Sequence, residues 1–254
     1  MTPLLTTLTH ITERLPIQAL GYTVGSVLPQ DAALYPKPFY DNYIDLPVDL
    51  DERNAVLAQW AQSLYSAGRL NTWRNELLSV APLPAMNVIL NDLPPALAEV
   101  ERAAVRVLGI FTHAVHLVGE STDGKIWLQQ RALNKVTDPG LWDSLAGGLL
   151  SSSDTLKAGV LRETYEEAGL TIADFSHFSA CGMVQEHRNT SDGYIAQAVW
   201  AHRAILLPGV TPRNLDGEVI RFTCITRLEL QHYIAEKQVS YEAILAFKLA
   251  GIIA

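Results

Sequence analysis

The sequence predicts an α/β protein. A layered α/β/α domain with a mixed sheet, residues 106–254, follows a smaller α+β domain, residues 1–105. Two observations predict this class. In the second part, segments with strand patterns lie on both sides of one helical segment, and the chain finishes with helical periodicity. In the first part, helical stretches alternate with Pro-containing loops. The apolar content of 48% in 254 residues is enough for a sizeable buried core.

The first part predicts three helices and one strand. Residues 2–14 predict a short helix, with a proline near its start. In residues 51–67, apolar side chains recur every three or four positions, which predicts a second helix. A third helix is predicted over residues 96–107, and the β-branched stretch LGYTVGSVLP predicts a strand. This domain could cap a substrate pocket, form a homodimer interface or extend the core, and the sequence leaves these roles open.

Strand patterns dominate both ends of the second part. THAVHLVG and KIWLQQRA, separated by a turn at residues 121–124, predict a β-hairpin. A helix is predicted over residues 155–168. The remaining predicted elements are the strands IAQAVWAHRAIL and VIRFTCITR and two helices over residues 228–235 and 240–252.

The net charge of the chain limits the classes of molecule that it is expected to bind. With 19 Lys and Arg against 27 Asp and Glu, the net charge is −8, which disfavours binding to nucleic acids and anionic membranes. The sequence shows no secretory signal and no apolar stretch that could span a bilayer. The two cysteines lie far apart and indicate neither a disulfide framework nor a zinc site. We therefore expect a soluble, acidic, cytoplasmic protein of one or two domains.

The predicted helix over residues 155–168 concentrates acidic side chains. Glu163, Glu166 and Glu167 fall within an arc of about 100°, directly after Arg162. Like charges at these spacings repel one another, so a neutralising charge is expected. Arg162 supplies one positive charge, whereas Mg²⁺ or Mn²⁺ would supply two and prefers oxygen ligands. The alternative is a solvated face. The opposite face, which we expect to pack on a sheet, consists of Ala158, Leu161, Tyr165 and Ala168.

The residues around this helix resemble a known motif. Gly147-Gly148 permits a close backbone turn, Asp154 is placed to cap the helix, and Gly169 is placed to end it. The stretch resembles the Nudix box, G-x5-E-x7-R-E-U-x-E-E-x-G-U, in which U is a bulky aliphatic residue. The matching positions are Gly148, Arg162, Glu163, Glu166, Glu167, Gly169 and Leu170. Two positions depart from the pattern, Asp154 in place of Glu and Thr164 in place of an aliphatic residue.

The resemblance implies a Nudix α/β/α sandwich and hydrolysis of a diphosphate linked to another moiety. It implies that Glu163, Glu166 and Glu167 bind Mg²⁺ or Mn²⁺, with the carbonyl of Gly147 as a further ligand. A water activated by the metal would attack phosphorus in line. It also implies that Arg162 orients the glutamates, and that one of them or a later acid acts as the base.

Two acidic residues beyond the motif could complete the site. Glu218 lies in LDGEVIRF, a turn entering a strand, and Glu186 lies in QEHRNTSDG, which we interpret as a loop. We favour Glu218 because the D-G-E-V turn resembles one near the end of several Nudix domains. The alternative is that Asp216 and Gly217 simply form a turn and Glu218 faces solvent.

The wider arrangement resembles Nudix proteins related to a domain fused to thiamine pyrophosphokinase in some fungi, which carry a similar N-terminal domain. The resembling pieces are residues 73–76, residues 101–104, Pro139-Gly140, Asp143 and residues 146–148. This resemblance implies thiamine diphosphate, or an oxidised or damaged analogue, as the substrate, with the monophosphate and phosphate as products. Such a substrate needs an aromatic slot. Trp142 is the favoured wall, ahead of Trp73 and Trp127, and core packing is the alternative for all three.

Several other functions remain compatible with the motif. Within enzymes, the alternatives are hydrolysis of ADP-ribose, NADH or a nucleotide sugar, and isomerisation of isopentenyl diphosphate. Outside enzymes, the alternatives are a ligand-sensing regulator or a catalytically inactive binding module. Residues 1–105 hold six Lys or Arg against eleven Asp or Glu, a net of −5, which argues against a DNA-binding regulator. The complete set of glutamates argues against an inactive module.

Overall fold

A computed structural model describes residues 14–86, 88–135 and 137–254. The chain divides into two compact units. The first contains the described residues up to Thr112 together with Gln185–Gln197, and the second contains His113–Val184 and Ala198–Ala254. The predicted domain boundary at residue 105 stays a prediction. The helix predicted over residues 2–14 falls almost wholly outside the described residues.

The first unit is built from short strands and one long helix. Its elements are β1 Leu15–Ala19, β2 Tyr22–Val27, α1 Pro29–Ala32, β3 Ile44–Asp45, α2 Leu50–Ser66, β4 Leu77–Val80 and β5 Ala98–Glu101. Strand β1 pairs antiparallel with β2 and parallel with β3, while β4 and β5 form a separate antiparallel pair. The strand predicted in LGYTVGSVLP is therefore confirmed as β2.

The long helix α2 confirms the prediction for residues 51–67. Asp49 caps it, because the Asp49 side chain accepts the Glu52 N–H at 2.9 Å. One face carries Leu57, Trp60 and Leu64, all fully buried. The spacing of these residues is the helical period, so the buried face follows directly from the sequence.

The helix predicted over residues 96–107 is wrong. Residues 98–101 form strand β5, and a single 3-10 turn follows at Arg102–Ala104. Ala98 and Val100 are buried, and β5 pairs with β4 through Val80 and Ala98. Pairing with a neighbouring strand outweighs the helical propensity of the alanines and glutamates in this segment.

The segment Gln185–Gln197 is assigned to the first unit although it lies far along the chain. Gln185 Nε2 donates to the carbonyl of Ala85 at 3.0 Å. Arg106 Nη1 pairs with Asp192 Oδ2 at 2.9 Å. The first unit is therefore completed by residues from the middle of the second half of the sequence.

The second unit contains most of the main sheet and three helices among its described residues. Its strands are β6 Phe111–Glu120, β7 Ile126–Arg131, β8 Trp142–Asp143, β9 Ala146–Leu149, β10 Phe175–Thr190, β11 Gly193–Leu206 and β12 Val219–Ile225. Three of them, β6, β10 and β11, also contribute residues to the first unit. Its helices are α3 Leu156–Ala168, α4 Arg227–Ala235 and α5 Tyr241–Leu249. The sheet order is β10-β11-β6-β7-β12, with β8 beside β7 and β9 beside β6.

These elements confirm the α/β architecture and the mixed sheet predicted from the sequence. The predicted hairpin is β6 and β7, which pair antiparallel through Gly119 and Trp127. The predicted helices near residues 155–168, 228–235 and 240–252 are confirmed as α3, α4 and α5.

The core of the second unit lies where the carboxyl-terminal helices cover the sheet. Phe247 of α5 and Leu230 of α4 are fully buried and belong to one apolar cluster with Ile126 and Leu128 of β7. Burial of side chains of this size stabilises the fold by about 2 kcal/mol each. No helix among the described residues is long and apolar enough to cross a membrane.

Candidate active site

Strand β9, and not the close turn expected from the sequence, places two glycines beside the acidic helix α3. Strand β9 pairs antiparallel with β6, so that Gly147 faces His116 and Gly148 faces Val115. A Cβ added at Gly148 would lie 2.5–2.6 Å from the carboxylate atoms of Glu163. Only glycine at position 148 therefore leaves that carboxylate where it lies.

Helix α3 begins at a cap that was not predicted, Thr155, and ends at the predicted residue, Gly169. Thr155 is the cap, since its side chain accepts the Ala158 N–H at 3.2 Å. The prediction that Asp154 caps the helix is wrong, because Asp154 binds Arg162 instead. Gly169 ends the helix in the left-handed conformation with φ of +64°, as predicted.

The acidic face of α3 points into the protein. Glu163 is 9% exposed and Glu167 is 1% exposed, whereas Tyr165 on the opposite side is 55% exposed. The prediction that the opposite face packs on the sheet is therefore wrong for Ala158 and Tyr165, which are exposed, whereas Leu161 is half-buried and Ala168 is fully buried. Thr164 is fully buried, and its hydroxyl donates to the carbonyl of Val160 at 2.6 Å. The carboxylates of Glu163 and Glu167 face inward because hydrogen-bond donors and cationic side chains lie beside them there.

Glu167 is the most enclosed of these carboxylates. Its Oε2 accepts the Gly147 N–H and the side chain Nε2 of Gln129, each at 2.8 Å. Its Oε1 lies 3.8 Å from Nζ of Lys135. Burial raises the pKa of Glu167 to about 7, with the charge of Glu163 acting in the same direction and Lys135 opposing it. The surroundings of Glu167 therefore compensate its negative charge only in part and favour the protonated carboxyl below about pH 7.

Arg162 connects three carboxylates. Its Nη1 donates to Glu163 Oε1 at 2.8 Å and to Glu166 Oε2 at 3.0 Å, and its Nη2 donates to Asp154 Oδ2 at 2.7 Å. Burial disfavours ionisation of Asp154, but the hydrogen bond from Arg162 and the N–H of Ser151 outweigh it and hold the pKa of Asp154 below its usual range. Asp154 thus binds Arg162 directly although its side chain is one methylene shorter than the glutamate of the motif.

Glu218 joins this cluster through a residue that the sequence analysis missed. The Glu218 carboxylate is 46% exposed and forms an ion pair with Lys135, the same lysine that lies beside Glu167. The predicted turn is present, since Asp216 Oδ1 accepts the Glu218 N–H at 2.8 Å. Nothing in the sequence marked Lys135, because its two partners lie 32 and 83 residues away and leave no local pattern.

Glu186, the other candidate acid, lies in the first unit. It belongs to strand β10 and not to a loop, so that prediction is wrong. Glu186 is 3% exposed, accepts Nε2 of Gln197 at 2.9 Å and pairs with Arg188. The polar composition of the segment suggested a loop, but alternation of buried and exposed side chains is also what a strand tip requires.

The candidate tryptophans occupy different settings. Trp142 is 8% exposed, stacks on Tyr233 with ring centroids 5.9 Å apart, and lies under the guanidinium of Arg221 at 5.2 Å. Trp127 is half-buried in β7, and Trp73 packs edge-on against a tyrosine of the first unit. Trp142 is thus a member of the apolar core, and its contact with a substrate stays a prediction.

The oxygen atoms of this carboxylate cluster are chemically suited to a divalent cation. Within residues 14–86, 88–135 and 137–254, no three His, Cys, Asp or Glu side chains are grouped closely enough to hold a metal ion as they stand. Arg162 and Lys135 hold the carboxylates instead. All the ligand atoms are oxygens, and the absence of a side chain at Gly148 gives the Glu163 carboxylate room to lie against β9. This combination suits Mg²⁺ or Mn²⁺.

The fold and the site together define an α/β protein in which helix α3 turns two buried carboxylates toward strand β9, a strand with two adjacent glycines. The NUDIX domain family matches residues 111–244, which is more than half of the chain. The chain therefore belongs to the Nudix family.

Two of the relatives that the chain matches are longer proteins. An uncharacterized protein of Saccharomyces cerevisiae, YJR142W, is 28% identical over 210 residues, covering 75% of this chain and 58% of that protein. Nudix hydrolase 20, chloroplastic, of Arabidopsis thaliana is 29% identical over 191 residues, covering 73% of this chain and 49% of that protein. The chain spans about half the length of the curated relatives it matches.

A solved structure supports the fold. The crystal structure of DR0079 from Deinococcus radiodurans superposes with a TM-score of 0.51 at 17% identity, covering 70% of this chain and all of that chain. At this identity the likeness concerns the fold alone, and it agrees with the predicted Nudix sandwich.

Proposed function

We propose that the chain is a metal-dependent hydrolase of a diphosphate linkage that uses Mg²⁺ or Mn²⁺. The observation that carries the proposal is the inward-facing carboxylate surface of α3, with Glu163 and Glu167 buried behind Gly147-Gly148. Burying like charges is unfavourable unless an opposite charge binds them. A diphosphate substrate has the same requirement, because its own negative charges need a cation.

The residues proposed to hold the metal are Glu163, Glu166, Glu167 and the carbonyl of Gly147. A divalent cation bound there would neutralise the diphosphate and lower the pKa of a nearby water. The protein side chains contribute by holding these carboxylates in position. Arg162 fixes the glutamates through charge-assisted hydrogen bonds, and the proton of the attacking water passes to a carboxylate of this cluster. Glu218 is proposed to complete the site from outside the helix.

For the substrate, we propose thiamine diphosphate or an oxidised or damaged analogue, converted to the monophosphate and phosphate. The support is the sequence resemblance of residues 73–76, 101–104 and 139–148 to Nudix proteins related to the thiamine pyrophosphokinase fusions. The net charge of −8 supports a small-molecule partner and not a nucleic acid, and we propose a cytoplasmic location.

The test is phosphate release with Mg²⁺ or Mn²⁺ from a panel of diphosphates. The panel contains thiamine diphosphate, its oxo and oxy forms, ADP-ribose, NADH and isopentenyl diphosphate, with a coupled phosphatase for ADP-ribose and NADH. We expect kcat/KM for a thiamine compound to exceed the others by at least about tenfold, a difference near 1.4 kcal/mol. A preference for ADP-ribose or NADH would keep the hydrolase and reject the thiamine assignment.

Variants of the helix test the site itself. The double substitution Glu166→Gln and Glu167→Gln should abolish turnover while the circular dichroism spectrum stays that of the parent. Glu236→Gln is the matched control, because Glu236 is an exposed glutamate of the second unit beyond the end of α4. Retained turnover in the double variant would refute the proposed site.

A further inference from the structure

Lys135 lies between two carboxylates with different surroundings. Its Nζ is 3.8 Å from Oε1 of Glu167 and forms an ion pair with Glu218. The Glu167 side chain is 2% exposed, whereas that of Glu218 is 46% exposed. The lysine therefore bridges the enclosed part of the carboxylate cluster and the solvent.

We propose that Lys135 is an internal counter-ion that a divalent cation must displace from Glu167, and that Glu218 is the positioning residue that holds the displaced ammonium. The proposal rests on the function proposed above, since it requires a cation to bind at Glu167. An ammonium and a divalent cation repel each other strongly at such separations in a poorly hydrated site. We therefore expect the cation and the ammonium of Lys135 to compete for the Glu167 carboxylate.

The backbone around Lys135 and Glu218 is fixed, so that only the side chain needs to move. The Ala132 N–H donates to the carbonyl of Glu218 at 2.9 Å, and the Lys135 N–H donates to the carbonyl of Ala132 at 3.2 Å. These bonds keep the two side chains at neighbouring positions whatever occupies Glu167. The lysine side chain has four methylene groups and can swing without a backbone change.

The turn that carries Glu218 is also attached to the helix that carries Glu167. The Leu215 N–H donates to the carbonyl of Glu166 at 3.3 Å, and the Arg213 N–H donates to the carbonyl of Ala168 at 2.8 Å. Glu218 therefore stays within reach of the lysine when the cluster is loaded. Because Glu218 is half exposed, it receives the ammonium with less loss of hydration than a buried carboxylate would.

The proposal predicts that Lys135→Met and Glu218→Gln change the affinity for Mn²⁺ in opposite directions. Lys135→Met keeps a long side chain and removes the competing charge, so the Kd for Mn²⁺ should fall by at least about tenfold. Lys135→Arg keeps the charge and should leave the Kd within about threefold of the parent value. Glu218→Gln removes the partner that holds the ammonium away from Glu167, so the Kd should rise by about fivefold.

The decisive measurement is a double-mutant cycle on the whole protein without substrate. The Kd for Mn²⁺ is read from the electron paramagnetic resonance signal of the unbound ion in the parent, Lys135→Met, Glu218→Gln and the double variant. If Glu218 acts through the lysine, Glu218→Gln should change the Kd less than about twofold in the Lys135→Met background. Lys125→Met is the control, because Lys125 is an exposed lysine of the same unit paired with Asp123.

Each outcome decides the proposal. Tighter binding in Lys135→Met, unaffected by Glu218→Gln, supports it. An unchanged Kd in Lys135→Met overturns the counter-ion role while leaving the hydrolase intact. A rise in Kd from Glu218→Gln that persists in the Lys135→Met background overturns it in favour of Glu218 as a direct ligand. Absence of Mn²⁺ binding in the parent protein overturns both this inference and the proposed function.

Discussion

Substitution of Gly148 by Ala should separate the effects on activity and on stability. The new Cβ would lie 2.5–2.6 Å from the Glu163 carboxylate, against an ordinary contact of about 3.5 Å. The carboxylate must therefore move by about 1 Å, which in an active site costs on the order of 100-fold in rate. The atoms that move are the end of a flexible side chain, so we expect the free energy of unfolding to fall by less than about 1 kcal/mol.

The neighbouring glycine supplies the contrast. A Cβ at Gly147 would lie 2.7 Å from the His116 ring and 2.9 Å from the carbonyl of Val115. A backbone carbonyl cannot yield as a side chain does, so Gly147→Ala should lower the free energy of unfolding by about 1–3 kcal/mol. The assays are kcat/KM on the best substrate of the panel and urea unfolding of both variants.

Two results would contradict the role assigned to the Glu163 carboxylate. Activity of Gly148→Ala within about threefold of the parent would show that the carboxylate position does not matter. A loss of stability in Gly148→Ala equal to that in Gly147→Ala would show that the Glu163 side chain does not yield. As a control, Gly148→Ala in a Glu163→Ala background should cause no further loss of stability, because the clashing atoms are absent.

Three further predictions concern the same helix. Glu167 binds its proton more tightly in the folded protein, with a pKa of about 7, than in the unfolded chain, near 4.5, so the free energy of unfolding should fall by up to about 3 kcal/mol as the pH rises from about 4.5 to 7. Urea unfolding in EDTA across this range measures the effect, and Glu167→Gln should remove most of it. Thr155→Ala removes the helix cap and should lower the free energy of unfolding by about 1 kcal/mol in the same assay, whereas no change would reject Thr155 as the cap. Asp154→Ala should lower kcat/KM by about tenfold because Arg162 loses a partner, and Asp154→Glu should stay near the parent value; equal losses in both would contradict the pairing role.

The sequence predicted the carboxylate helix well and its orientation badly. Glu163, Glu166 and Glu167 could be identified because spacing within one helix is a local property that the sequence records directly. The inward direction of that face could not be read from polarity, since charged residues normally face solvent. It depends on Gly147 and Gln129, which come from other strands and supply the donors for Glu167.

The remaining errors have the same origin in long-range contacts. Residues 98–101 form a strand because β4 lies beside them, and this pairing overrides a composition that favours a helix. Lys135 went unnoticed because its partners Glu167 and Glu218 become neighbours only in the folded chain. Local periodicity therefore identified several elements, among them α2, α3 and the β6–β7 hairpin, but it could not identify which residues from separate elements meet.

The interleaving of the two units limits how the protein can be divided. A recombinant fragment that starts at residue 113 would retain residues 185–197 but would lose Ala85 and Arg106, which bind Gln185 and Asp192 in the intact chain. Such a fragment would present unsatisfied polar groups and newly bared surface, which favours aggregation during expression. The part of this Nudix protein that carries the proposed active site should consequently be produced and crystallised with residues 1–112 attached.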